Sequence, residues 1–269
     1  GCDSFKNKVV VVTGAANGIG AAICHRFARE GARIGLLDMD AKGVQAASDK
    51  LRASGVDAVG IRCDVVDEDE CTSALKEIIG LYGGIDVLVN NAGITQRSAF
   101  IDTQTSVYRR VMDVNFFGSL HCTKAAMASL IERKGIIIVI ESLAGIAPLL
   151  GRTGYCASKH ALHGFFTSLR SELRATGTHI MLVCPGFVET SLQSRALGGD
   201  GRVTTHPQSM VGKPVSAENV AEKIYKGAVK KKQLLVLTPV GKLTYWIHRF
   251  APRLYERIMA RQLKEELMR

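Results

Sequence analysis

Tyr155 and Lys159 lie four residues apart in Gly154-Tyr155-Cys156-Ala157-Ser158-Lys159. On a helix that spacing puts both side chains on one face. A free phenol ionises near pH ~10, too high for a base at neutral pH. A nearby ammonium favours the phenolate, and the pair then suits proton transfer to or from an oxygen atom. Chance supplies this spacing in many helices, so its weight depends on its neighbours. Ser142 stands thirteen residues earlier, at the end of a strand-like run. A hydroxyl there can hydrogen-bond a substrate oxygen as charge develops. Asn115 sits in Val114-Asn115-Phe116-Phe117-Gly118, inside a helical stretch. Asparagine is a poor helix-interior residue, so a buried polar role is expected, structural or catalytic.

The elements that must hold these groups are legible as an alternation. Short apolar runs at Val9–Thr13, Arg33–Asp38, Asp57–Arg62, Val87–Asn90, Gly135–Ser142, His179–Cys184 and Leu234–Leu237 are rich in Val, Ile and Leu. Their lack of polar alternation is how strands buried on both sheet faces read. Segments of helical periodicity separate them. The pattern predicts an α/β fold of the Rossmann, doubly wound type: a seven-stranded parallel sheet with helices on both faces. No linker or repeat interrupts it, so residues 1–240 form one domain and 241–269 an extension. The first strand runs into Thr13-Gly14-Ala15-Ala16-Asn17-Gly18-Ile19-Gly20. Glycines between a strand and a helix let the backbone approach a pyrophosphate, which the helix N-terminus then binds. Asp38 ends the second strand, where an acid accepts from ribose hydroxyls and repels a 2′-phosphate. No basic residue occupies 15 or 16, and Met39 follows the acid, so NAD is expected rather than NADP.

Composition narrows the function class. The chain has 269 residues, 46% hydrophobic and 22% charged, which is globular. Its net charge of +10 is spread along helical segments apart from Lys230-Lys231-Lys232, so no nucleic-acid role is expected. Seven cysteines are widely spaced and include no CxxC pair. Reduced, packed thiols are expected, with no metal site. No apolar run has spanning length and no signal-like segment opens the sequence, so a cytoplasmic protein is expected.

These motifs together resemble the short-chain dehydrogenase/reductase superfamily in its single-domain form. TGAANGIG (13–20), Asp64, NNAG (90–93), Asn115, Ser142, YCASK (155–159) and PGFVET (185–190) occur in that family's order. The resemblance implies a hydride transfer between a nicotinamide and a secondary alcohol or ketone. It implies that Gly14, Asn17, Gly18, Ile19 and Gly20 wrap the pyrophosphate. Asp38 holds the adenosine ribose, and Asp64 with Val65 the adenine. Asn91, Ala92 and Gly93 line the cleft, and Pro185, Gly186, Val188 and Thr190 meet the nicotinamide end. Tyr155 is the acid/base, and Lys159 lowers its pKa and holds the nicotinamide ribose. Ser142 orients the substrate oxygen, and Asn115 anchors a water in a proton relay. A homodimer or homotetramer is also implied. Two positions depart from the pattern. Glu141 stands where relatives carry Ser or another small or apolar residue; it can form an ion pair, tune a neighbour or point away from the cleft, and alternation along the strand favours the last. Cys156 reads as a tolerated replacement.

The substrate side is less legible. Ile94, Thr95, Leu143, Ile146, Leu149, Leu150 and Phe187 are candidate pocket residues, mostly apolar. They fit a lipid-, steroid- or acyl-like substrate. The alternatives are a reductase of 3-oxoacyl thioesters using NADPH, and a catalytically silent NAD-binding sensor. The stretch at about 191–214 lacks periodicity and reads as a lid. Its Arg195, Arg202 and His206 either face water or meet an acidic substrate group. In the extension, Leu243, Trp246, Ile247, Phe250 and Leu254 recur at helical spacing, and Pro252 should restart the helix near Ala251. The stripe either packs on the body or another subunit, or lies on an anionic membrane surface.

Overall fold

The computed structural model describes residues 4–189, 192, 195–205, 208–210 and 212–267. Seven strands form one parallel sheet: β1 (Val9–Thr13), β2 (Arg33–Asp38), β3 (Ala58–Arg62), β4 (Val87–Asn90), β5 (Ile136–Ile140), β6 (His179–Cys184) and β9 (Leu234–Val236). Their order is β3-β2-β1-β4-β5-β6-β9. A separate short pair, β7 (Val188–Glu189) and β8 (Val215–Ser216), pins the chain after β6. The helices between strands are α1 (Gly18–Ala28), α2 (Ala41–Ala53), α3 (Glu68–Tyr82), α4 (Thr105–Met112), α5 (Gly118–Glu132), α6 (Thr153–Glu172) and α7 (Ala217–Val229). Two more, α8 (Pro239–Phe250) and α9 (Pro252–Gln262), follow the last strand.

Alternation along each strand builds a core on both faces. Val10 and Val12 pack with Ile23, Phe27 and Ile34 on one side; Val9 and Val11 pack with Leu75, Ile78 and Phe166 on the other. All five β1 residues are buried, as a central strand covered on both faces requires. The chain order reverses between β1 and β4, and a crevice at the carboxyl ends of such strands is where α/β sheets bind ligands.

Several strands are shorter than their apolar runs. Asp57, Gly135, Glu141, Ser142 and Leu237 fall outside the regular ladder. Glu141 N–H still donates to Val183 O at 2.8 Å, so the backbone stays sheet-like to the edge of the site. Pro252 does restart the helix: α8 ends at Phe250 and α9 begins at the proline. Ser216 caps α7 by accepting from Asn219 N–H at 3.1 Å. Among the described residues no helix is long and apolar enough to cross a membrane.

Candidate active site

The glycine loop turns sharply between β1 and α1. Gly14 (φ +63°) and Gly18 (φ +59°) hold left-handed backbone, and a Cβ on Gly20 would stand 2.2 Å from Gly14 O. Asn17, exposed, makes no side-chain cap on α1, so the first amides of that helix are left open to a ligand. Thr13, buried in β1, fastens the loop to β4. Its hydroxyl accepts from Asn91 N–H (3.0 Å) and Ala92 N–H (2.9 Å). Asn91 Nδ2 in turn donates to Thr13 O and Gly14 O. Asp38 accepts from Ala16 N–H at 3.0 Å and Asp40 N–H at 2.9 Å, one on each carboxylate oxygen. A carboxylate has about four acceptor positions, so it retains capacity for ribose hydroxyls. Asp64 accepts from Val66 N–H at 3.1 Å, and Val65 is buried with its carbonyl 2.8 Å from His121 Nδ1. The open helix end, the glycine cradle and the spare acceptors fit a dinucleotide.

At the nicotinamide end a cavity of about 260 Å³ opens beside the loop. Ile19, Asn91, Gly93, Pro185, Gly186 and Val188 face it from the cofactor side, with Ser142, Tyr155 and Lys159 at its floor. Thr190 lies outside the described residues. Ser142 lines the cavity beside Tyr155, and its hydroxyl favours the ionised phenol. Lys159 Nζ stands 5.6 Å from the Tyr155 ring centre and donates to Ile140 O at 3.1 Å. Burial pushes the Lys159 ammonium down to about 8. The Tyr155 phenol is held above the ordinary value because burial outweighs the opposing effects of the Ser142 hydroxyl and the charge of Arg152. In the protein alone the residue is therefore an acid at neutral pH.

Asn115 lies in a single π-helical turn, Asp113–Phe117, not in a regular helix. Such turns recur at functional sites. The side chain bridges Ile94 through both backbone groups (Oδ1 accepts at 2.8 Å, Nδ2 donates at 2.9 Å) and donates to Ser158 Oγ. It thus clamps the segment after Gly93 to α6 beside Lys159. Glu141 corrects the expectation that it points idly away. Its carboxylate is buried and sits 3.1–3.2 Å from His163 Nδ1, one turn beyond Lys159 on α6. Burial raises that carboxyl, while His163 and Lys159 oppose the rise. Cys156 is half-buried, its thiol pushed up to about 11 by burial, so it packs rather than reacts.

Three positioning contacts carry no motif. Arg152 at the N-cap of α6 makes no side-chain cap; instead Gln96 Oε1 accepts from Gly154 N–H (3.1 Å) and Tyr155 N–H (3.4 Å). Arg152 pairs with Glu266 at 3.4 Å, both nearly fully buried. Glu266 also accepts from Ser209 N–H at 2.8 Å, which ties that residue to the extension. On the substrate side, Ile94, Leu143, Leu149 and Phe187 line the cavity as expected; Thr95, Ile146 and Leu150 do not. Thr95 is instead buried, its carbonyl accepting from Leu197 N–H at 2.9 Å. The main apolar wall is the extension, through Leu243, Ile247, Tyr255, Met259 and Leu263. Ile247, Tyr255, Met259 and Leu263 also pack with Ala147, Leu149 and Leu150, so the packing alternative holds for this face. The lid's Arg195 and Arg202 are exposed, and His206 lies outside the described residues. Among the described residues no His, Cys, Asp and Glu group could hold a metal ion. The six described cysteines are free thiols.

Comparison with known proteins agrees with this geometry. A family profile described as short chain dehydrogenase matches residues 8–198. Dehydrogenase/reductase SDR family member 7B from Bos taurus is 34% identical over 97% of this chain and 83% of its own length. The Drosophila melanogaster protein named dehydrogenase/reductase SDR family protein 7-like is 31% identical over 97% and 82%. A short-chain dehydrogenase from Streptomyces avermitilis superposes with a TM-score of 0.82 at 25% identity, covering 96% of this chain and 97% of its own. A Burkholderia phymatum structure titled as a short-chain dehydrogenase/reductase in complex with NAD shares the fold, with a TM-score of 0.82 at 24% identity over 93% and 95%. The family is one of oxidoreductases that bind a nicotinamide cofactor and act on CH–OH carbons of small molecules. The chain belongs to the short-chain dehydrogenase/reductase family.

Proposed function

We propose that this protein is an NAD-dependent dehydrogenase/reductase of apolar secondary alcohols and ketones, with Tyr155 as the catalytic acid/base. The observation that carries the reading is that Ser142, Tyr155 and Lys159 line one mostly apolar cavity together, with Tyr155 and Lys159 buried. The bound nicotinamide supplies or accepts the hydride. Tyr155 donates its proton to the carbonyl oxygen in reduction and takes the hydroxyl proton in oxidation. The Ser142 hydroxyl holds the same oxygen, and Lys159 supplies positive charge that favours the phenolate once the proton has left. Asn115 fixes the loop at Gly93 against α6 and so keeps Lys159 in register.

The NAD preference rests on Asp38, one of whose oxygens accepts from Ala16 N–H in the glycine loop and the other from Asp40 N–H. Arg62 reaches Met39 O at 3.4 Å, but its guanidinium is paired with Glu70 and is not a dedicated phosphate ligand. The test is a fluorescence titration with NADH and NADPH, followed by absorbance assays on ketones of increasing chain length. NADH should bind at least tenfold tighter, and kcat/KM should rise with chain length. Tighter NADPH binding, or a preference for small polar ketones, overturns the reading.

A further inference from the structure

We propose that the outer face of α8 and α9 docks on an anionic lipid surface and that the substrate cavity opens onto it. The proposal rests on the cavity being the substrate pocket, as above. The inner face of the two helices is already used, packed on Ala147, Leu149 and Leu150. A second apolar face remains. Leu243 is 59% exposed, Trp246 54%, Phe250 74% and Leu254 51%. Trp246 and Phe250 stack at 5.6 Å with rings nearly parallel. A contiguous exposed apolar surface of this kind marks an interaction site.

Two observations choose the occupant. First, Val240, Leu243 and Ile258 line the cavity and are themselves exposed, so they are its rim. An apolar substrate leaving a bilayer would meet this rim without crossing water. Second, charge borders the stripe on the side away from the cavity. At about 100° per residue, a turn around α8 passes from the cavity face (Thr244, Ile247) through Trp246 and Phe250 to Lys242 and Arg249. Around α9 the order is Met259, Ile258, Leu254, then Arg261, Arg257 and Arg253. The five cations are exposed, and Glu256 is the one carboxylate on the two helices. Apolar side chains flanked by long cations are the pattern of a helix lying in an anionic interface. A second copy of this chain would bring cations against cations at the same face, which disfavours self-association there.

Trp246 is the chain's one tryptophan, so its fluorescence reports this face alone. The full chain is mixed with phosphatidylcholine vesicles, with and without about one-third phosphatidylserine, and followed by emission and co-sedimentation. Phosphatidylserine vesicles should shift the emission to the blue and sediment the protein, and about 0.5 M salt should reverse this. The double variant Phe250→Glu/Leu254→Glu should lose at least tenfold in vesicle affinity, while NADH binding and turnover of a short soluble ketone stay unchanged. Lys242→Glu/Arg249→Glu should also lose at least tenfold, since each interfacial cation is worth about fivefold. Equal sedimentation of wild type and both variants overturns the proposal. So does a blue shift that follows protein concentration without vesicles, with doubled mass, which assigns the face to a second copy. If vesicles bind but no ketone is reduced, the functional reading fails and the docking surface stands; activity without vesicle binding is the reverse.

Discussion

The two walls of the cavity are built by different means. On the cofactor wall the working groups are backbone amides, glycines and short polar links, held at the ends of β1, β2 and β4. The glycine turn is local, while the links that fasten it join residues 22 to 78 apart in sequence. The substrate wall is made of apolar side chains from α8 and α9, tied back by a buried ion pair across 114 residues of sequence. Backbone geometry tolerates little substitution, whereas an apolar wall accepts any side chains of suitable volume. The family's chemistry therefore resides on the first wall, and the identity of the substrate on the second.

The largest way to test that division is Glu266→Ala. It leaves Arg152 buried without its counter-charge and should cost about 3–5 kcal/mol of stability, read by urea unfolding. The substrate KM should rise at least tenfold while the NADH Kd moves less than twofold. Glu266→Gln, which keeps the shape, should show the same split at lower cost. An equal change in NADH Kd would break the comparison. A smaller effect lies behind the catalytic pair. Glu141 holds the His163 imidazole above its ordinary pKa. A histidine raised in the folded state adds stability below its unfolded pKa of about 6.5 and loses it as pH rises through the folded value. His163→Leu should thus cost about 1 kcal/mol at pH 5.5 after solvent screening, and less at pH 8.5. A loss that grows with pH contradicts the pairing.

The sequence made the cofactor wall legible because its signals are local. Gly14, Gly18 and Gly20 announce a turn, and Tyr155 and Lys159 share a helix face; the fold puts both where the spacing requires. The strand order is likewise what alternating apolar runs and right-handed crossovers imply. What failed to show were contacts without periodicity. Gln96 caps α6 from 58 residues away, and nothing in its neighbours marks it. Glu141 gave a face but no partner, because His163 is set by the crossing of β5 and α6. Leu149 and Leu150 are indistinguishable as residues, yet only Leu149 reaches the cavity. The extension's helical stripe was visible, while its division into a packed face and an exposed face required the fold. Burial, which sequence does not display, raises the Tyr155 phenol against the neighbouring Ser142 and Arg152.

The central claim is that Tyr155 moves the proton at the reacting oxygen. Tyr155→Phe keeps the ring and removes the hydroxyl. With NADH saturating, and on the ketone found to be reduced best, turnover should fall about 10²–10⁴-fold while the NADH Kd stays within twofold of wild type. Turnover close to wild type would contradict the account.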